Sequence, residues 1–131
     1  MEITRTRPAS ISGPADWFTG AVFIDPIAAA PPPARARVNI VHFTPGARTH
    51  WHTHPLGQVI HVVQGVGRAQ REGGPVETIT AGTTVRFEPG ENHWHGAAPQ
   101  TLMSHLVVQE ADESGTDVVW GRPVTDGDYD G

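Results

Sequence analysis

Between residues 37 and 110 the chain alternates apolar and polar positions with a period of two, in short runs punctuated by glycine and proline. Arg37 to Thr44 is the clearest case, with Val38, Ile40 and His42 on one face and Asn39, Val41 and Phe43 on the other. The same alternation predicts strands at about 49–54, 58–64, 66–72, 76–80, 83–88, 93–97 and 102–110. Turn signals fall between them: Gly73 with Gly74 as a two-residue hairpin turn, Ala81 with Gly82, and Pro89 with Gly90. Residues 17–27 predict a first strand, ended by Pro26 and by the run from Ala28 to Pro33, which reads as a polyproline-like loop. Many short, evenly spaced strands predict an all-β fold, an antiparallel sandwich or barrel with little or no helix.

The ends of the chain have a different character. Residues 1–16 are broken by Pro8, Gly13 and Pro14 and predict an extended arm that covers a sheet edge or crosses to a partner. The tail, 111–131, is polar except around Val118, Val119 and Trp120, where it is expected to dock as a short strand or turn. A length of 131 residues suits a single domain, 1–131, with one core. The count of 15 glycines and 12 prolines agrees with many tight turns and changes nothing else.

Charge and composition exclude several functions. The net charge is −5, concentrated only at Asp126, Asp128 and Asp130, which argues against a nucleic-acid partner. There is no apolar run of membrane-spanning length and no basic-then-apolar N-terminus, so no membrane partner and a cytoplasmic location are expected. With no cysteine, any metal must be held by nitrogen and oxygen. All nine basic side chains are arginine, so no lysine is present to form a Schiff base.

The candidate chemistry lies in the histidines. In a strand His52 and His54 share a face, and Gln58 can return to it after the Pro55-Leu56-Gly57 bend. His93 follows downstream, with His95 on its face. Three imidazoles and one amide oxygen, His52, His54, His93 and Gln58, make a candidate divalent metal site with open positions. If these residues face inward, alternation also sends His50 inward and groups Met103, His105, Val107 and Gln109 on one side of a later strand. It places Asn39 and Val41 toward the same cavity. His42 and His61 fall on the opposite faces, while Trp51 and Trp94 alternate outward from the ligand histidines and are expected to pack between sheets or subunits.

The spacing Gly46, His52, His54, Gln58, Gly65, followed after sixteen residues by Gly82, Gly90 and His93, resembles the two motifs of the cupins, jelly-roll antiparallel β-barrels. Three positions depart from that pattern: Gln58 replaces an acid, Pro89 is shifted by one, and Ala97 replaces an asparagine. The neutral amide of Gln58 leaves two full positive charges on a bound dication, weakening its binding and strengthening it as a Lewis acid. The segments 13–20, 45–58, 70–74 and 93–99 further resemble the small manganese-dependent cupin hydroxynitrile lyases.

That resemblance implies a metal-dependent lyase that acts on a small-molecule cyanohydrin. His105 would be the general base, His95 and Gln109 would assist, and Asn39 and Val41 would shape the substrate pocket. It implies manganese, while the ligand set also accepts iron, nickel, cobalt or zinc, and it implies a homodimer or homotetramer. Oxygenase or isomerase chemistry on a metal-bound small molecule, and a non-catalytic metal or ligand-binding role, use the same residues and stay open at this stage.

Overall fold

The computed structural model describes all residues 1–131. Its organising element is a single strand of fourteen residues, β7 (Gln58–Arg71), where the alternation predicts two strands. Gly65 has φ +83°, a left-handed conformation that costs a residue bearing a Cβ about 1–2 kcal/mol. Here the strand bends without ending. Its first half pairs antiparallel with β11 (Met103–Glu110) and β9 (Thr84–Phe87), and its second half pairs with β10 (His93–Ala97) and β8 (Glu77–Thr80). One strand therefore belongs to both walls of the barrel.

The first wall continues from β11 to β4 (Ala36–Phe43) and β3 (Val22–Ala29), where β1 (Ile11–Ser12) pairs with part of the outer edge. Pro26 does not end β3. It sits inside the strand at a register irregularity, where the outer edge leaves its missing N–H without consequence. The second wall carries two short pieces, β5 (Arg48–Thr49) and β6 (His52–Thr53), in place of one continuous strand. The former pairs with β2 (Phe18–Thr19), and the latter with β12 (Val119–Trp120) of the tail. The β7–β8 connection spans residues 72–76, longer than the predicted two-residue turn.

One unpredicted element is a single-turn helix, α1 (Asp126–Asp130), closed by a reciprocal capping box between Thr125 and Asp128. It seats Tyr129 in a small second core with Trp51, Trp94 and Val124. Both tryptophans thus turn away from the histidines and pack, as alternation requires. The main core fills the barrel with Phe43, Ile60, Val62 and Met103, all at most 1% exposed. The antiparallel barrel and the near absence of helix agree with the pattern of short strands.

Gly65 gives a direct stability test. A Cβ placed there would collide with the carbonyl oxygen of Leu102, a backbone atom that cannot swing aside, besides demanding the left-handed φ. Gly65→Ala is therefore expected to cost roughly 3 kcal/mol or more. Urea unfolding monitored by tryptophan fluorescence would read this as a lower midpoint, and an unchanged midpoint would rule out the bend as drawn.

Candidate metal centre

Strand pairing brings the predicted residues together. His52 on β6 lies directly opposite His93 on β10, with ring centroids 4.3 Å apart. The His54 ring is 5.0 Å from His52 and 5.5 Å from His93. Gln58 on β7 lies directly opposite Gln109 on β11, and its Nε2 donates to Gln109 Oε1 at 2.9 Å. Its other end, Oε1, is 3.2 Å from His93 Nε2.

Backbone carbonyls decide which nitrogen of each imidazole is available. Nδ1 of His52 meets the carbonyl of His50 at 2.9 Å, Nδ1 of His54 meets that of Asp117 at 2.6 Å, and Nδ1 of His93 meets that of Glu91 at 2.8 Å. A carbonyl only accepts, so each Nδ1 carries the proton and donates. Burial pushes all three imidazoles below their usual range, His93 to about 3, so they are neutral at pH 7. Each Nε2 is then a bare lone pair. That of His54 is buried without any protein partner, and that of His93 faces a second acceptor, Gln58 Oε1. Facing lone pairs repel unless a cation lies between them, so these four residues fit a divalent ion.

His95 also belongs to the cluster. By distance alone the tightest group is His52, His93 and His95, whose ligand atoms lie within 4.8 Å of one another. No carbonyl locks His95. Its Nδ1 instead meets His105 Nε2 at 3.1 Å, leaving His95 Nε2 and His105 Nδ1 buried and unpartnered. The carbonyl locks therefore favour His54 over His95 as a ligand and leave His95 and His105 as a proton-carrying pair. Burial holds His95 well below the usual histidine range, with the neighbouring His105 adding to the effect, and burial brings His105 to about 4.

A cavity of about 90 Å³ adjoins the cluster. His52, His54, Gln58, His95, His105 and Gln109 supply its polar side, and Phe18, Val41, Phe43, Val107, Val118 and Trp120 its apolar side. A small molecule with one polar and one apolar end matches it. Val41 lies where alternation put it. Asn39 shares that strand face but stands opposite Val107, half-buried, and borders a shallow depression with Arg37 and Pro26 in place of the cavity. His50 is buried but lines no part of the cavity and contributes its carbonyl to His52. His42 and His61 take the outer face, His42 between Asp25 and Ser104 and His61 against Thr84.

Several contributing residues escape sequence reasoning. Phe18, Val118 and Trp120 reach the cavity from segments distant in sequence, and Trp120 does so because it pairs with His52 across β12 and β6. Asp117 and Glu91 act through carbonyls, which alternation does not reveal.

The model of the cupin domain family matches residues 39–108. The chain is 58% identical over 130 residues to the (R)-mandelonitrile lyase of Granulicella tundricola, covering 98% of each chain. Among solved structures it resembles a cupin-like protein from Thermotoga maritima, with a TM-score of 0.83 at 33% identity over 98% of this chain and 95% of the other. It also resembles an acetylacetone dioxygenase from Acinetobacter johnsonii, with a TM-score of 0.63 over 93% of this chain and 83% of the other. At 14% identity that likeness concerns the fold alone.

Proposed function

The chain belongs to the cupin domain family, and on that premise we propose that it is a metal-dependent lyase that cleaves cyanohydrins to an aldehyde and hydrogen cyanide and runs the reverse addition. The 58% identity to an (R)-mandelonitrile lyase over nearly the whole of both chains carries this reading. The site supports it independently. Its polar side suits one oxygen substituent, and its apolar side, with Phe18 and Trp120, suits the apolar remainder of a small molecule.

Held by His52, His54, Gln58 and His93, a divalent ion, for which we propose manganese, would supply Lewis-acid polarisation of a carbonyl or hydroxyl oxygen. The protein's own contribution is proton handling. His105, neutral at pH 7, accepts the hydroxyl proton of the cyanohydrin as the bond between the carbinol carbon and the nitrile breaks. The electron pair of that bond leaves with cyanide, and the oxygen becomes the aldehyde carbonyl. His95, 3.1 Å from His105, carries the proton onward, and its unpartnered Nε2 is the end from which cyanide is protonated. Gln109, hydrogen bonded to Gln58, completes the polar wall. The absence of cysteine and lysine agrees with a route that forms no covalent adduct with the enzyme.

Protein loaded with manganese(II) is expected to release benzaldehyde from mandelonitrile, and chelator-treated protein to lose that activity. Release no faster than from manganese(II) alone would sink the proposal. Oxygen uptake with a diketone in its place would assign the pocket to oxygenase chemistry.

A further inference from the structure

We propose that Asp117, a tail residue outside the ligand set, is a positioning residue that decides which end of the Gln58 amide faces the histidines. The inference rests on the reading of Gln58 as a ligand.

A carboxylate has no proton to donate, so its neighbours must bring theirs. Asp117 Oδ2 lies 2.8 Å from Gln109 Nε2, which requires the Gln109 amide to turn its NH2 toward the tail. Gln109 then has only its carbonyl oxygen left for Gln58, 2.9 Å away on the adjacent strand. That oxygen also only accepts. Gln58 must therefore spend its NH2 on Gln109 and present Oε1 to the histidines, as it does at 3.2 Å from His93 Nε2. Two amides, either of which can rotate end for end, are thus set by one group that cannot reverse.

The outer oxygen of Asp117 is tied at 3.1 Å to Arg37, whose guanidinium has no acceptor of its own. Ion pairs this exposed, with the two side chains 42% and 18% accessible, contribute little to stability. The value of the pair is in direction. The same residue orients a second ligand, because its backbone carbonyl holds the Nδ1 proton of His54. Were Gln58 reversed, an amide NH2 with no lone pair to give would face the ion, and the fourth ligand would be lost.

The variant Asp117→Asn separates orientation from bulk. The new side chain is nearly isosteric, but Arg37 takes its oxygen and leaves its NH2 facing Gln109. Gln109 must then present its oxygen outward and its NH2 to Gln58, so the relay runs backwards. In the metal-free wild type, nuclear Overhauser contacts from the Gln58 side-chain NH2 should reach Gln109 and not the ring of His93. In Asp117→Asn they should move to the His93 ring, and manganese(II) affinity by calorimetry should fall about tenfold. The charge-conserving double variant Asp117→Asn/Gln109→Glu puts an acceptor-only group beside Gln58. It should restore both the contacts and the affinity to at least about a third of wild type.

Gln58 NH2 contacts to His93 in the wild type would overturn the proposal, whether or not the variants fold. So would unchanged contacts in Asp117→Asn. Correct contacts in a wild type that binds no manganese(II) would instead overturn the ligand reading and leave the relay standing.

Discussion

Replacing His105 with glutamine is expected to reduce mandelonitrile turnover by about 10²- to 10⁴-fold, the usual contribution of a positioned general base. The imidazole is fully buried, packed 5.4 Å from the Phe43 ring and hydrogen bonded to His95, so it is held in one orientation beside the cavity. Glutamine keeps most of the volume and can still hydrogen bond, but it cannot accept a proton at neutral pH. Alanine would add a cavity cost of roughly 2 kcal/mol or more and confuse the reading. His105 is not one of the carbonyl-locked imidazoles, so the variant should bind manganese(II) as the wild type does. Turnover and metal content measured on one sample separate the two roles. Turnover within about threefold of wild type would remove His105 from the base role, and loss of bound manganese would make it a ligand.

The metal-free protein is expected to lose stability steeply as pH falls from about 6.5 toward 4. His52, His54, His93, His95 and His105 are all held below the ordinary histidine value of about 6.5 by burial, His93 to about 3 and His105 to about 4. In the unfolded chain they take up protons near 6.5. Between the folded and unfolded values the unfolded state binds more protons, so stability falls with falling pH, by about 1.4 kcal/mol per unit for each such histidine. For His93 and His105, whose folded values lie near 3 and 4, the falling window spans about two pH units or more, a loss that is sizeable beside the usual 5–15 kcal/mol of a domain.

Carboxylates do not confuse this window. Those with depressed values act below the ordinary carboxylate range, Asp128 down to about 2, where hydrogen bonding to Arg122 holds it. Urea melts of chelator-treated protein at several pH values would show the midpoint dropping below pH 6.5. A midpoint that stays flat to pH 4.5 would mean that the five rings are hydrated in solution.

The parts of the fold and site that period-two alternation controls were legible in advance. His52 and His54, His93 and His95, and His105 with Gln109 are pairs on one face of a strand; all of them line the cavity except His93, which belongs to the adjoining histidine cluster. What alternation misses has identifiable causes. Gly65 looks like a strand end, but a glycine at positive φ can bend a strand whose ladder continues, so alternation predicts two strands where β7 is one. Asn39 has the right parity and the wrong position along its strand, since parity selects a face and not a depth. The carbonyls of His50, Glu91 and Asp117 orient ligands without any side-chain signature. The tail reads as polar because its pairing with β6 comes from a strand far away in sequence, and its hydrogen bond to Gln109 of β11, although local, leaves no periodic pattern.

The tail's docking also divides the labour of the site in a way that matters for redesign. The reactive imidazoles belong to the barrel, while Val118 and Trp120, which close the apolar side, belong to the tail segment, whose only strand pairing with the barrel is Val119 with Thr53 and Trp120 with His52. Grafting the segment after Asp117 from a related barrel would recast the pocket wall while leaving every reactive side chain on its original backbone, so substrate range can be exchanged as a cassette.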